Sequence, residues 1–258
     1  MATFRVQDTD LHFEVVGQGR PIIFVPGLGT GGQIWAPVVS MLSDTYQCIT
    51  VDTRGAGFSG TSPGPYTITL LARDVLHLQR HLALHAPTII GHSMGGFIAL
   101  TLSLQTPLHR LVLVSTSASG VPGKGGLTDQ AIKAISKVSS RREVTERIAE
   151  IGLGSKSSAE ERDRLVSTLL ARPLRGRGYL AQQAAVTTFD MSDALHRVMV
   201  DTCIIHGTQD RMVPFDSGAM LSRRIPNARL VPLQGCGHFP MVETPLRVAR
   251  EIDSTVSA

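Results

Sequence analysis

Three cysteines in 258 residues, Cys48, Cys203 and Cys236, are too few and too unevenly spaced for a disulfide framework or a structural zinc site, and they suit a reducing compartment. Long apolar runs are also missing. None approaches the roughly 20 residues of a membrane span, and Met1-Ala2-Thr3-Phe4-Arg5 has no apolar signal core. The expectation is a cytoplasmic protein, with no membrane partner. Aromatic residues are scarce, at 5%, and the basic residues are interleaved with acids, which argues against a nucleic-acid partner. There is no internal repeat and no low-complexity tract.

What is present is an ordinary globular composition, 42% hydrophobic and 18% charged, with 25 Gly and 14 Pro. Such a length buries a core that needs no covalent staple. The formal charge of +4 comes from one segment: residues 117–190 hold 12 Lys/Arg against 8 Asp/Glu, and elsewhere 13 of each cancel. That surplus reads as a solvated helical surface, with a patch steering anionic substrates as the sharper alternative.

Short apolar runs alternate with helical patterns, as in a mainly parallel sheet covered on both faces. Strands are expected at 11–16, 21–25, 47–51, 87–91, 110–115, 202–206 and 229–233. Pro21-Ile22-Ile23-Phe24-Val25 is apolar without alternation, as a strand buried on both sides should be. Ile68, Leu71, Val75, Leu78 and Leu82 form one helical stripe. Gly17-Gln18-Gly19 is a turn signal, predicting an antiparallel hairpin between the first two of these strands. The alternation stops after Ser115 and resumes at Thr202; between them lie helical patterns at about 128–151, 158–171 and 178–189, consistent with a helical insertion.

Gly91-His92-Ser93-Met94-Gly95 stands between an apolar strand and an apolar helix. This is the setting of a nucleophile elbow, where a sharp strand-to-helix turn exposes the Ser hydroxyl and small neighbours let the backbone pass. A Ser hydroxyl needs a base, and the base needs an orienting group. Nine histidines compete for that role. His77, His81 and His85 share a helix face and read as a polar stripe; His206 ends a strand and reads as structural. His238 lies in the loop Gly235-Cys236-Gly237-His238-Phe239-Pro240 after the last strand, and Asp210 follows the strand at 202–206. Both loops belong at the carboxyl ends of parallel strands, the edge on which ligands collect.

The order Ser93, Asp210, His238 in this setting resembles the α/β-hydrolases, and the likeness runs nearly the full length. The resemblance implies an α/β-hydrolase fold with a core of residues 1–116 and 191–258 and a helical cap over 117–190. It implies Pro26-Gly27-Leu28-Gly29 as the oxyanion loop, with the Leu28 and Met94 amides as the hole. Pro26 stands where the family often has His. Asp52-Thr53-Arg54-Gly55-Ala56-Gly57-Phe58-Ser59 resembles the family's structural D-x-R-G-x-G-x-S loop. Some members take their acid after the strand ending near 115, but Ser115-Thr116-Ser117 offers none.

The compact, cofactor-free members with a Gly-His-Ser-Met-Gly-Gly elbow include carboxylesterases and enol-lactone hydrolases. The expectation is therefore a serine hydrolase cleaving a small-molecule ester or lactone through an acyl-enzyme on Ser93, without cofactor or metal, as monomer or homodimer. Trp35, Tyr179 and Gln182 are candidates to line the substrate pocket, against core or helix-surface roles for the same residues. Carbon–carbon hydrolase, acyltransferase, lyase and non-enzymatic receptor functions share this scaffold. A rival motif is also present: Gly27-Leu28-Gly29-Thr30-Gly31-Gly32 fits G-x-G-x-x-G, with Asp52 twenty residues on, as in dinucleotide-binding proteins. An edge hairpin is expected before it and Asp52 runs into a Gly-rich loop, which disfavours that reading.

Overall fold

The computed structural model describes residues 2–121, 123–126, 128, 131 and 140–258. Eight strands form one sheet: β1 (Ala2–Val6), β2 (Thr9–Val16), β3 (Arg20–Val25), β4 (Tyr46–Val51), β5 (Thr88–His92), β6 (Leu111–Val114), β7 (Thr202–Gly207) and β8 (Ala228–Leu233). Their order is β1-β2-β4-β3-β5-β6-β7-β8, antiparallel at β1/β2 and β2/β4 and parallel throughout the rest.

The central strands β5, β6 and β7 are buried at every position, which is why their sequences are apolar without alternation. Side chains still alternate between faces. Ile22 and Phe24 join the core formed with α1 (Ala36–Leu42) and, at the C-terminus, the helix Pro245–Ser257. Ile23 and Val25 join the opposite core, formed with α2 (Ile68–His81), α3 (Met94–Ser103) and the helix Phe215–Arg224. The stripe Ile68, Leu71, Val75, Leu78 is the buried face of α2, and the Thr67 hydroxyl caps it by accepting from the Leu70 amide.

Two expectations are corrected. The edge strand β1 lies N-terminal to the first strand read from the sequence, and it is β1 and β2 that form the hairpin. The chain from β2 to β3 makes no hairpin, because β4 lies between those two strands. Gly17 and Gly19 have φ of 81° and 105°, and a Cβ on Gly17 would lie 2.1 Å from the Ser43 carbonyl oxygen. The glycines let this crossing run against the segment that leads into β4.

After β6 the chain leaves the sheet and returns beside its point of departure. Ser119 and Asp190 form an antiparallel bridge, the Gly120 amide donates to Phe189 O at 2.9 Å, and the Met191 amide donates to Ala118 O at 2.9 Å. Between them stand α4 (Arg141–Gly152), α5 (Ala159–Leu170) and α6 (Gly176–Thr187). Ser140 caps α4, and Ser158 with Glu161 makes a capping box at α5. The expected helical stretch from 128 to 151 is present as α4 from Arg141; 129–130 and 132–139 lie outside the described residues. The final elements are α7 (Phe215–Arg224), α8 (Pro240–Glu243) and α9 (Pro245–Ser257). Among the described residues no helix is long and apolar enough to cross a membrane.

Candidate active site

The parallel register brings the ends of β3, β5, β6, β7 and β8 to one edge. At that edge β5 stops at His92, Ser93 adopts φ 53° and ψ −119°, and α3 starts at Met94. A non-glycine residue with such a backbone is strained. The flanking glycines have a steric cause: a Cβ on Gly91 would lie 2.2 Å from Gly95 O, and one on Gly95 would lie 2.3 Å from Val25 O. The turn is fastened from β6, because the Ser93 amide donates to Val114 O at 3.0 Å and the Thr116 hydroxyl donates to Ser93 O at 2.8 Å.

Met94 is the first residue of α3, so its amide has no intrahelical carbonyl to bond, and the helix dipole adds to its positive character. Across from it, the 26–30 loop curls as the Thr30 amide and hydroxyl both donate to Gly27 O, at 3.2 and 2.9 Å. Leu28, Ser93, Met94 and His238 line one cavity of about 70 Å³.

His238 Nδ1 lies 2.8 Å from Asp210 Oδ2, both groups being buried. With the Nδ1 proton shared with this carboxylate, Nε2 is left as the basic nitrogen. Asp210 Oδ1 accepts from the amides of Met212 and Val213, each at 2.8 Å. Burial alone works to raise the Asp210 carboxyl, but the His238 charge and hydrogen bonds from His206 and His238 hold it well below the ordinary carboxylate range. His238 and the Ser93 hydroxyl are not hydrogen-bonded to each other and both line the cavity.

Two further histidines belong to this assembly. His206 Nε2 lies 3.0 Å from Val213 O and 3.3 Å from Asp210 Oδ2, so its Nε2–H supports both the carboxylate and the turn that carries it. His92 Nε2 donates to His238 O at 2.9 Å, fixing the backbone of the histidine loop. Burial, then repulsion from His238, depresses His92 to about 3, so it is neutral. The same loop is held by the His238 amide donating to Gly152 O at 2.5 Å and by Glu243, which accepts from the amides of Gly237 and Gly154. The sequence names His206 only as a structural imidazole at a strand end, and gives His92 no role beyond its place in the elbow motif. The available signal was the four-residue spacing from His206 to Asp210 across the end of β7.

Of the three residues expected to line a substrate pocket, Tyr179 lines the cavity beside Ser93, and Trp35 and Gln182 do not. Trp35 is fully buried: the 3₁₀ turn Gly32–Trp35 folds it into the core against Phe24, ring centres 5.4 Å apart. Gln182 is fully buried with its amide spent on protein. Its Oε1 accepts from the Gly29 amide at 2.9 Å, and its Nε2 donates to Thr53 Oγ1 at 3.0 Å and Arg54 O at 2.7 Å. Asp52 is committed too, accepting from the amides of Gly32 at 2.7 Å and Phe58 at 2.8 Å. Buried at 1% exposure, it is out of reach of a ribose, and it ties the 26–32 loop to the 52–59 turn.

A sheet of this order, with a strained serine at the turn from β5 into α3, defines a hydrolase of the α/β type. The chain belongs to the alpha/beta hydrolase fold family, whose model matches residues 20–245. It is 28% identical over 253 residues to 3-oxoadipate enol-lactonase 2 of Acinetobacter baylyi, covering 94% of this chain and 91% of that one. It is 27% identical over 237 residues to a putative carbamate hydrolase, RutD, of Rhizobium rhizogenes, covering 85% and 87%. Among solved structures, the enol-lactonase from Burkholderia xenovorans superposes with a TM-score of 0.86 at 25% identity over the whole of both chains. An esterase from Exiguobacterium antarcticum shares the fold with a TM-score of 0.88 at 23% identity, covering 99% of each.

Proposed function

We propose that this protein is a serine hydrolase of small-molecule carboxylic esters or lactones, working through an acyl-enzyme. The observation that carries the reading is the buried His238–Asp210 pair at 2.8 Å, with His238 lining the same cavity as the strained Ser93. His238 Nε2 takes the Ser93 proton as the oxygen attacks the carbonyl carbon, and Asp210 stabilises the imidazolium. The Leu28 and Met94 amides hold the tetrahedral oxyanion. His238 then protonates the leaving alkoxide, and a water deprotonated by the same imidazole releases the acid. An alkoxide is easier to expel than an amine, which favours esters over amides.

Residues 117–190 act as a cap in this reading, since Ile148, Leu169, Tyr179 and Val186 from α4, α5 and α6 complete the cavity wall over Ser93. The names of the enol-lactonase and esterase relatives support the same bond class. The three cysteines are free and buried, as suits the cytoplasm.

Ser93→Ala should lower turnover of p-nitrophenyl butyrate by about three or more orders of magnitude while the thermal unfolding transition stays in place. A variant that keeps most of its activity overturns the assignment, as does a fluorophosphonate probe that labels a residue other than Ser93.

A further inference from the structure

A second, larger chamber adjoins the first, enclosing about 300 Å³ between α4, the end of α5 and the start of α6. The two chambers share Leu28, Thr30 and Tyr179, whereas His238 and Phe239 line the inner one alone. A substrate that reaches the outer chamber therefore leaves Ser93 on the side of the 26–30 loop, away from the imidazole that protonates the departing alkoxide in the proposed reaction. The part that enters is the acyl part.

Among the described residues no Asp or Glu lines either chamber, and Arg141, in the first turn of α4, is the only Lys or Arg that does. Its Nη2 donates to Leu169 O at 2.9 Å, Leu170 O at 3.2 Å and Arg172 O, all uncharged acceptors at the C-terminal end of α5. These bonds fix the guanidinium without neutralising it. Among the described residues no carboxylate pairs with it, and its Nε and Nη1 hold no hydrogen bond. Its neighbours in the segment differ: Arg142 pairs with Glu146, Arg164 with Glu160, Arg172 with Glu14 and Lys124 with Asp190.

Tyr179 supplies a second donor. The hydroxyls of Thr30, Thr116 and Ser117, on the inner wall, are spent on the carbonyls of Gly27, Ser93 and Ser119, and that of Thr145, on the outer wall, is spent on Arg141 O. The Tyr179 phenol lines both chambers and donates to none of the described residues. Burial pushes it up, so it keeps its proton and can donate. A cation set in an apolar wall with no acid beside it attracts a counter-charge more strongly than one in water.

We propose that Arg141 and Tyr179 form a carboxylate subsite in the outer chamber, which receives the far end of a substrate whose acyl chain carries an acid. This rests on the ester-hydrolase reading and adds a substrate class to it: esters with an acyl chain ending in a carboxylate, in preference to neutral ones of the same length. The anion-steering alternative raised by the sequence narrows from a patch to one arginine.

The test uses the full chain. Hydrolysis of p-nitrophenyl butyrate checks the underlying reading: if it is not cleaved in a Ser93-dependent way, that reading fails whatever Arg141 binds. Given that activity, initial p-nitrophenol release is compared for the hydrogen adipate, pimelate and suberate esters and for their methyl esters, matched in chain length and uncharged. At the best-fitting length kcat/KM should favour the acid by at least about tenfold, the effect of hydrogen bonds to a charged group. Arg141→Met should lower this acid-to-methyl-ester ratio by at least about tenfold, and Tyr179→Phe should lower it by about threefold. If Arg141 only fastens the end of α5, the Met variant weakens both esters alike and the ratio stands, which overturns the proposal. Should that variant not fold, salt decides on the unaltered protein: the ratio should fall at least about twofold between about 0.05 and 0.5 M NaCl, and a salt-independent ratio overturns the proposal. Methyl esters cleaved as well as their acids at all three lengths overturn it outright.

Discussion

Gln182 accepts a hydrogen bond at 2.9 Å from the Gly29 amide, one residue along the loop from Leu28, which lines the same cavity as Ser93. The same side chain grips Thr53 and Arg54, so one buried amide ties α6 to both the 26–30 loop and the 52–59 turn. Tyr179, one turn earlier on α6, lies against Gly29, where an added Cβ would come within 2.7 Å of its ring. The helix holds the 26–30 loop at two points, which under the proposed function makes Gln182 a positioning residue.

Gln182→Met preserves volume and removes all three hydrogen bonds. If the Leu28 amide acts as proposed, on charge that develops only in the transition state, kcat should fall about 10–100-fold with KM changed by less than about twofold. Binding of a boronic acid, whose adduct presents the tetrahedral oxyanion, should weaken in parallel with kcat. A purely structural role would lower the melting temperature and leave the kcat of the folded fraction alone.

Asp210→Asn should lower kcat by about 10⁴-fold with the fold intact. The amide oxygen can still accept from Met212 and Val213, preserving the turn, while its NH2 faces His238 Nδ1 and favours the wrong tautomer. Asp210 is held far below the usual carboxylate range, chiefly against burial by His238 and His206, so it stays ionised throughout the working pH range. Any loss of activity between pH 7 and 5 therefore belongs to another group. Near-normal kcat in the Asn variant would remove Asp210 from the mechanism.

The strands and the elbow were legible because their signals are local: uninterrupted apolar runs for buried strands, and a glycine on either side of Ser93 where a Cβ would strike backbone. The trio Ser93, Asp210 and His238 followed from placing three loops at one sheet edge. Pairing across the β2 edge was not legible, since nothing in Gly17-Gln18-Gly19 says that β4 inserts between its flanking strands. Nor was the fate of Trp35 or Gln182. An aromatic near the oxyanion loop and an amide on α6 suit a pocket wall or an interior equally well, and only packing decides.

Stability should fall as acid is added, starting well above the range in which carboxylates titrate. His92 goes from 6.5 to about 3, because burial and the nearby His238 disfavour its charged form. Between those limits the unfolded chain binds a proton that the folded chain refuses, so the stabilisation is complete above about pH 6.5 and declines below it. The slope approaches about 1.4 kcal/mol per pH unit. Urea denaturation at pH 7, 6 and 5 should show this decline, and His92→Asn, which keeps a donor for His238 O, should flatten it. Equal slopes in the two proteins would mean that His92 is not the group responsible.

Arg54 is 1% exposed and grips Asp74 with two hydrogen bonds, Nε to Oδ2 at 2.7 Å and Nη2 to Oδ1 at 2.8 Å, while Nη1 reaches Asp8 and Ser62. Removing one partner of such a pair strands the other in the core. Arg54→Met should therefore cost about 3–5 kcal/mol in denaturant unfolding. Burial already pushes the Asp74 carboxyl up even with Arg54 opposing it; without the guanidinium it rises further. A group whose folded value lies above its unfolded one supports the fold at low pH and ceases to as pH rises through that value, so the cost of the substitution, measured against the unaltered protein at the same pH, should be greater at pH 8 than at pH 5. Arg54→Met combined with Asp74→Leu should recover most of the loss, since a well-packed apolar pair can replace a buried ionic one. Gln182 bonds the Arg54 carbonyl and not its side chain, so the folded fraction of the single variant should keep kcat within about twofold. A large fall in kcat at full folding would mean that the guanidinium reaches the site by a route other than the fold.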